Sequence, residues 1–517
     1  MYRINLKLMP LIMIFLVTFS IIQLYVMTSQ FSLLQDPYLY VYEHSINAVI
    51  TKGSIYVLYE IFDNFASSPG TILLGSFLSL ALGMNILYTM YIGGLAIYIL
   101  IFLLVLLLLR NLDNNRFDYK AGLMAIFSAG YTALYDPILA YGSIAYIILL
   151  TVLSLIFKIY RKDVLKVEYV IVLVILIVSM NLHYLPMGLF LLTIISLLVI
   201  ILIISRIKLG CIKSVLLISL IIVSAYYVYM GQFFFGDFNA FIYTITNIRL
   251  EQRFYIQRTV VSRLSYDPLY SILYSISLLR FSLALIIIFY LFLILLIKRK
   301  ILSSNFVLAF GLLGAFLYFV GFVPYVFVSL SSDYGLRIFV LSYAIYATTV
   351  YVILTTDKHN TGGGSFGLFN LSSILRFLIF LLAMISLIGS IFTPLARIYH
   401  DIRGFNLSSQ YNYGQEGLWV STFIKDFVDK SLPKDIISTY RYIYLYSRYG
   451  IYHQILGLHI NIDIKSVIDN RNTLMIIPLA ITRKADVFYG PISYDDFQEL
   501  ILYKNIFLNS GLTIILQ

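Results

Sequence analysis

Charged side chains are scarce in this sequence. Only 12% of its 517 residues are Asp, Glu, Lys or Arg, whereas a soluble domain has about 25%. Hydrophobic residues make up 61% of the chain, and so few charges cannot cover a water-facing surface. The composition therefore excludes a soluble globular protein and predicts a polytopic membrane protein.

Cysteine is nearly absent as well. Cys211 is the single cysteine, which excludes an intramolecular disulfide and a cysteine-based metal site. The formal net charge of +11 does not indicate nucleic acid, because the basic patches lack the interleaved aromatic side chains of a single-strand binder. We therefore predict no nucleic-acid partner.

Long apolar runs recur along the chain. Segments long enough to cross a hydrocarbon core of about 30 Å are predicted at 9–28, 88–109, 121–137, 138–157, 168–185, 186–205, 214–230, 276–297, 305–327, 337–355 and 375–394. Lys and Arg occupy alternate loops, and the short intervening loops at 136–138, 185–187 and 328–336 have neither. The positive-inside rule then places the N-terminus in the cytoplasm. The first run is long for a signal peptide and no A-x-A site follows it, which favours an uncleaved span.

The predicted fold class is a polytopic α-helical membrane protein with about eleven transmembrane helices and a small C-terminal extracytoplasmic α/β domain. The transmembrane domain covers 1–394, with long outer loops at 29–87 and 231–268. Residues 395–517 form the outer domain, with strands expected over "DIISTY", "TLMIIPLA" and "LTIILQ". The predicted location is the cell membrane.

The segment "TILLGSFLSLALGM" (71–84) is apolar and uncharged but short for a span. If it crossed the membrane, the basic residues of every later loop would face outward. It is therefore predicted to be an interfacial or re-entrant piece on the outer side.

The outer loop opens with the stretch "LLQDPYLYVYEH" (33–44). Asp36-Pro37 matches a helix start, in which a carboxylate caps the helix and proline takes the first helical position. A helix from 37 to about 51 places four polar side chains within about 60° of one another, at 100° per residue: Asp36, Tyr40, Glu43 and Asn47. The pattern predicts an amphipathic helix on the membrane, with a polar stripe facing a cleft.

Two interpretations of these carboxylates stay open on spacing alone. In the first, Asp36 only caps the helix and Glu43 is only solvated. In the second, a carboxylate at the membrane surface accepts a proton from a nucleophile or holds a cation. Two carboxylates on one helix face do not decide between them.

The order of segments resembles the membrane glycosyltransferases of the GT-C fold. One span is followed by an outer loop beginning "QDPYLYVYE", by "KGSIY", by "SSPGTILLGSFLSLALGMN" and by a span that ends in Arg. The likeness is nearest to archaeal and bacterial relatives of the protein mannosyltransferases and oligosaccharyltransferases, and "SMNLHYLPMGLFLLTIISLLVI" and "YDDFQELILYKNIFLNSGLTIIL" are similar to later parts of that group. The chain departs from the oligosaccharyltransferases in lacking their tryptophan-rich motif, since Trp419 is its single tryptophan.

The resemblance implies an inverting enzyme that moves a sugar from a polyprenyl-phosphate-linked donor to an acceptor protein or glycan outside the cell. Asp36 then corresponds to the essential acid of the first outer loop, with Glu43 as a weaker second. The leaving phosphate needs cations, for which the candidates are Arg249, Arg253, Arg258, Arg263 and Arg337. Further candidates for the cleft are Tyr40, Asp136 and His183. No metal site is predicted from the residues, and a dependence on a divalent cation is left open.

Each of these residues also has a structural interpretation. The loop arginines suit solubility or lipid headgroups, and Arg337 suits a local ion pair with Asp333. Asp136 in "YDP" suits a turn between spans. His183 suits a structural hydrogen bond, because no second ligand has metal-binding spacing to it.

Two other functions compete with glycosyl transfer. A lipid or solute transporter is disfavoured, because the spans carry almost no charge and the acidic residues lie at the outer surface. A non-catalytic subunit or scaffold with the GT-C fold stays open, because no clear second acidic motif is present.

Overall fold

The structure is a computed structural model. It describes residues 37–58, 68–112, 117–129, 141–204, 208–229, 279, 282–289, 305–327, 332–355 and 374–385, and five strands after residue 434. Its contacts divide the chain into two units. The first contains Met1–Ala66, Ile72–Tyr91 and Pro394–Gln517, and the second contains Ser67–Thr71 and Ile92–Thr393.

Helices dominate the described residues. The longer ones are α1 Pro37–Lys52, α2 Gly70–Leu82, α3 Ile86–Leu112, α4 Tyr119–Ala129, α5 Tyr141–Lys162, α6 Val167–His183, α7 Leu185–Ile204, α8 Ile212–Tyr229, α9 Asn305–Phe327 and α10 Ser332–Thr355. Within this part of the chain, four stretches are long and apolar enough to cross a membrane: Tyr88–Leu112, Gly142–Tyr160, Pro186–Ile204 and Ile212–Tyr229. The chain is a mostly helical, multi-pass membrane protein, and its count of eleven spans and its orientation stay predictions.

One predicted loop is longer than the loop in the structure. The sequence places an outer loop at 328–336, but α10 already begins at Ser332. Hydropathy marks only the apolar part of a helix, and the polar first turn "SDYG" continues the helix beyond that part. Asp333 and Arg337 therefore belong to α10 rather than to a loop.

In the first unit, α1 packs against α2. The buried face of α1 consists of Tyr42, Ser45, Ile46 and Val49, which recur at helical spacing. Gly75 of α2 leaves the space that Ile46 fills, since a Cβ atom at Gly75 would lie 2.6 Å from Ile46 Cδ1.

Both of these helices stop at a left-handed glycine. Gly53 follows α1 with a φ of +64°, and Gly83 follows α2 with a φ of +60°. A side chain is strained in this conformation and glycine is not, so both positions terminate their helices as C′ residues.

The first unit also contains a five-stranded mixed sheet. Its strands are β1 Asp435–Ser438, β2 Ile455–Gly457, β3 Thr473–Pro478, β4 Ile506–Asn509 and β5 Thr513–Leu516, in the order β2-β1-β3-β5-β4. β1 is parallel to β2 and β3, and β5 is antiparallel to β3 and β4. Strands form in all three segments that the sequence predicts as strands. The domain boundary at 395 and the outer location of this domain stay predictions.

In the second unit, α9 and α10 form a tight antiparallel pair. Gly314 of α9 lies directly against the Ile345 carbonyl oxygen and Thr349 Oγ1 of α10. Thr349 Oγ1 donates a hydrogen bond to the Gly311 carbonyl at 2.6 Å, and the rings of Tyr318 and Tyr346 stack at 4.4 Å. Small residues allow this approach, as in other membrane helix pairs.

The turn after α5 is joined to the turn before α8. Lys208 Nζ lies 2.6 Å from Asp163 Oδ2, and the Tyr160 hydroxyl donates to the Lys208 carbonyl at 3.2 Å. Asp163 has a φ of 47° and Gly210 a φ of +51°. A Cβ at Gly210 would lie 2.5 Å from Asp163 Oδ1, so the close approach of the two turns requires glycine there.

Lys208→Gln is expected to weaken this junction in a way that depends on pH. The hydrogen bond and the charge of Lys208 lower the pKa of Asp163, so the stabilisation exists above the unfolded pKa of Asp163 and is lost as pH falls through its folded pKa. Thermal unfolding of the detergent-solubilised chain should show a difference between wild type and variant at pH 7 and none at pH 2. The difference should also shrink in 1 M salt. A difference that is independent of pH and salt would contradict an electrostatic origin.

Candidate functional site

The polar stripe of α1 is exposed at its centre and partly covered at its edge. Asn47 is exposed and Glu43 is half-buried. At about 100° per residue, Glu43 is the member of the stripe nearest the buried face, so its carboxylate lies at the boundary of the packed face. Tyr40 belongs to the same helix. Asp36 lies outside the described residues and directly precedes the first residue of α1, Pro37.

His44 is a neighbour of Glu43 that the sequence analysis did not single out. Burial, and in second place the positive charge of Lys52, lower the pKa of His44 below its ordinary value. The neutral imidazole is therefore favoured near pH 7. Neutral His44 offers one donor and one acceptor beside the polar stripe.

Helix α2 has its hydroxyl groups inside and its large apolar side chains outside. Ser76 and Ser79 are buried, whereas Phe77 and Leu80 are 66% and 65% exposed. Both hydroxyls donate hydrogen bonds to nearby backbone carbonyls. Ser76 donates to the Ile72 carbonyl and Ser79 to the Met84 carbonyl, each at 2.8 Å. An outward apolar face suits hydrocarbon and not water, and the interfacial position of α2 stays a prediction.

The second unit contains a polar cluster between the start of α2 and the end of α6. We call Ser68, Gly70, Thr71, Asn181 and His183 the Thr71–His183 cluster. Thr71 Oγ1 lies 3.1 Å from His183 Nδ1, and Ser68 Oγ donates to the Asn181 carbonyl at 3.5 Å. A Cβ at Gly70 would lie 3.0 Å from His183 Nδ1. The start of α2 is therefore fixed to the end of α6 by side-chain hydrogen bonds and a close glycine contact.

Asn181 is the fully buried member of this cluster. Its Nδ2 donates to the Ile177 carbonyl at 2.8 Å. Its Oδ1 faces Gly188 of α7 and has no hydrogen-bond partner among the residues that the structure describes. The amide fits where α7 carries a glycine, and any side chain at Gly188 would collide with it.

The chain reverses direction next to this cluster. α6 ends at His183, Tyr184 is extended with a φ of −158°, and its N–H donates to the Met180 carbonyl at 2.9 Å. α7 starts at the next residue with Pro186 in its first turn, where proline is well tolerated. This short connection fixes His183 at the end of a helical hairpin.

Sequence reasoning found His183 but missed its partners. Thr71 lies within the predicted interfacial segment, and its contact with His183 joins positions that are 112 residues apart. The usable signal was the run "SSPGT", whose small and hydroxyl residues are typical of a helix start. Asn181 in "SMNLH" was a second signal, because a lone amide in an apolar run is costly unless it is hydrogen-bonded.

Other predicted site residues are not brought together by the described part of the chain. Asp136, Arg249, Arg253, Arg258 and Arg263 lie outside the described residues. Arg337 lies on α10 four residues after Asp333, and their ion pair stays a prediction. Among the described residues, no group of three or more His, Cys, Asp or Glu could hold a metal ion.

Comparisons with known proteins gave matches only among solved structures. No protein-family model matches the chain, and no curated protein matches it significantly. The archaeal oligosaccharyltransferase AglB from Archaeoglobus fulgidus, in complex with an inhibitory peptide and a dolichol-phosphate, is similar with a TM-score of 0.48 and 11% identity over 90% of this chain and 70% of its own. ArnT from Cupriavidus metallidurans in the apo state is similar with a TM-score of 0.41 and 11% identity over 97% of each chain.

Both of these proteins have the GT-C fold, which is the fold that the sequence resembles. Identities and TM-scores this low assign neither a reaction nor a substrate to this chain. The function is therefore argued below from the chain's own residues.

Thr71→Val is expected to destabilise the chain by about 1–2 kcal/mol, because valine keeps the volume and leaves His183 Nδ1 without its hydroxyl partner. Thermal or denaturant unfolding in detergent measures the loss. Thr193→Val is the matched control: within the described part of the chain, the exposed Thr193 hydroxyl bonds only to the Leu189 carbonyl of its own helix, at 2.9 Å, and its loss should cost little. Equal effects of the two substitutions would show that the contact with His183 contributes nothing.

Proposed function

We propose that this protein is a membrane glycosyltransferase that moves a sugar from a polyprenyl-phosphate-linked donor to an acceptor on the extracytoplasmic side. The observation that carries the proposal is the arrangement of helices α1 and α2 in the predicted first outer loop. Its helix α1 begins directly after Asp36 and packs on α2, and the exposed apolar face of α2 suits the membrane surface. An acid at the head of such a loop lies where a lipid-linked donor and a water-soluble acceptor meet.

The reaction can be written with these residues in their roles. The acceptor's nucleophilic atom forms a bond to the anomeric carbon, and the bond from that carbon to the phosphate oxygen breaks with inversion. The polyprenyl phosphate leaves with the electron pair, and the proton of the acceptor passes to Asp36. Glu43 supports the acceptor, and some of the loop arginines or Arg337 neutralise the leaving phosphate.

The Thr71–His183 cluster has a supporting role in this proposal. It ties the start of α2 to the end of α6. His183 is proposed as a positioning residue, because its Nδ1 lies 3.1 Å from Thr71 Oγ1 and so joins two helix ends.

The proposal is tested with the full chain in membrane vesicles. Incubation with a polyprenyl-phosphate-linked sugar should give transfer to an added acceptor and release of polyprenyl phosphate in equal amounts. A second set of vesicles measures solute and ion flux. Flux without transfer would favour the transporter, and the absence of both with a range of sugars and acceptors would favour the non-catalytic scaffold.

A further inference from the structure

Exposed lysines are concentrated where α5 ends, α6 begins and α8 begins. They are Lys158, Lys162, Lys166, Lys208 and Lys213, and the exposed acids of this surface are Asp163 and Glu168. Only Lys208 of the five forms a salt bridge within the described residues. The surface therefore keeps an excess of positive charge.

Two of these lysines meet the same tyrosine. Lys158 and Lys162 are four residues apart on α5 and project from one face of it. Lys158 Nζ lies 5.7 Å from the centroid of the Tyr169 ring, and Lys162 Nζ donates to the Tyr169 hydroxyl at 3.5 Å. Because this hydroxyl accepts from Lys162, its own proton is left to donate. Two ammonium groups and one hydroxyl donor suit a phosphate group.

Of the two exposed acids of this surface, Asp163 does not reduce the charge of the lysine pair. Asp163 is engaged by Lys208 across the junction of the two turns, and the Tyr160 hydroxyl bonds the Lys208 carbonyl in the same junction. The turn between Lys162 and Tyr169 is thereby held by contacts that do not involve either lysine of the pair.

The position of Lys158 and Lys162 along α5 favours a lipid headgroup over free phosphate as the ligand. The apolar stretch that could cross a membrane ends at Tyr160, so Lys158 and Lys162 lie at the level where hydrocarbon gives way to headgroups. A lysine stem there lies along apolar surface while its ammonium group reaches the phosphates.

We propose that Lys158, Lys162 and Tyr169 bind the phosphate of an anionic phospholipid headgroup at the predicted cytoplasmic surface. This proposal does not depend on glycosyl transfer, so it can be tested by binding alone. Anionic lipids are concentrated in the cytoplasmic leaflet, where each nearby lysine adds to the attraction.

The test uses the full chain in a neutral detergent at low salt. Titrations with short-chain phosphatidylglycerol, short-chain phosphatidylcholine and inorganic phosphate are followed by thermal stabilisation and native mass spectrometry. Phosphatidylglycerol should bind, phosphatidylcholine should bind far more weakly, and inorganic phosphate should have little effect. Equal stabilisation by inorganic phosphate would overturn the lipid assignment, and equal binding of phosphatidylcholine would overturn the site.

Substitutions locate the site. The double variant Lys158→Gln/Lys162→Gln should weaken phosphatidylglycerol binding by roughly 30-fold at low salt, and Tyr169→Phe should weaken it by a smaller factor. Lys120→Gln is the control, because Lys120 is an exposed lysine on a different predicted inner loop. An equal loss with Lys120→Gln would show a diffuse effect of charge and overturn the proposal. Unchanged unfolding without lipid shows that each variant is folded.

Discussion

Asp36→Asn is expected to lower the rate of sugar transfer by at least about 100-fold while the chain stays folded. Asparagine caps a helix about as well as aspartate, so α1 should still begin at Pro37. An amide, however, cannot take a proton from the acceptor or carry a negative charge. The measurement is the initial rate of transfer from a polyprenyl-phosphate-linked sugar, normalised to the amount of folded protein.

Three variants separate catalysis from capping. Asp36→Ala removes both the charge and the cap, so it should lose activity and also cost about 1 kcal/mol of stability. Asn47→Ala alters an exposed polar residue of the same helix and should keep its activity. The rate of sugar transfer by Glu43→Gln should lie between the rates of Asn47→Ala and Asp36→Asn. If the wild-type protein transfers sugar and Asp36→Asn is fully active, Asp36 only caps α1 and another residue is the base.

Gly314→Ala is expected to destabilise the pair of α9 and α10 by about 1–3 kcal/mol. A methyl group there would meet the Ile345 carbonyl oxygen and Thr349 Oγ1. The carbonyl belongs to the backbone of α10 and cannot rotate away, so the helices must separate and the bond from Thr349 to Gly311 must lengthen. Unfolding of the detergent-solubilised chain by heat or by a denaturing detergent measures the effect.

Two other glycines provide matched controls. Among the described residues, Gly142 on α5 has no neighbour within 4 Å of an added Cβ, so Gly142→Ala should be neutral or stabilising by up to about 1 kcal/mol through helix propensity. Gly75→Ala meets the flexible end of Ile46 at 2.6 Å and Met90 Sδ at the ordinary distance of 3.5 Å, and it should cost less than Gly314→Ala. A Gly314→Ala variant as stable as Gly142→Ala would contradict close packing of α9 on α10.

Helix bounds could be predicted where apolar residues fill the whole helix. The predicted segment 305–327 coincides with α9, and the predicted hairpin at 168–185 and 186–205 corresponds closely to α6 and α7. The start of α10 was predicted too late, because hydropathy does not register a polar first turn. The start of α1 was predicted correctly, since Asp36-Pro37 is a local signal.

The partners of the candidate residues could not be predicted in the same way. His183 was found as a polar residue in an apolar context, but its contact with Thr71 depends on which helix ends meet. The pairing of Asp163 with Lys208 joins residues 45 positions apart, and no local pattern specifies it. The stacking of Tyr318 on Tyr346 likewise depends on the approach of two helices.

The sequence by itself determined that this is a membrane protein, because 12% charged residues are too few to cover the whole chain with a water-facing surface. It also predicted the short apolar helix α2 and the start of α1, since the first follows from local composition and the second from Asp36-Pro37. The tertiary structure alone decided which side of α1 is buried, which glycines are essential and which hydroxyl reaches His183. These depend on the distance between segments that are remote in the chain, and periodicity within one segment carries no information about that distance.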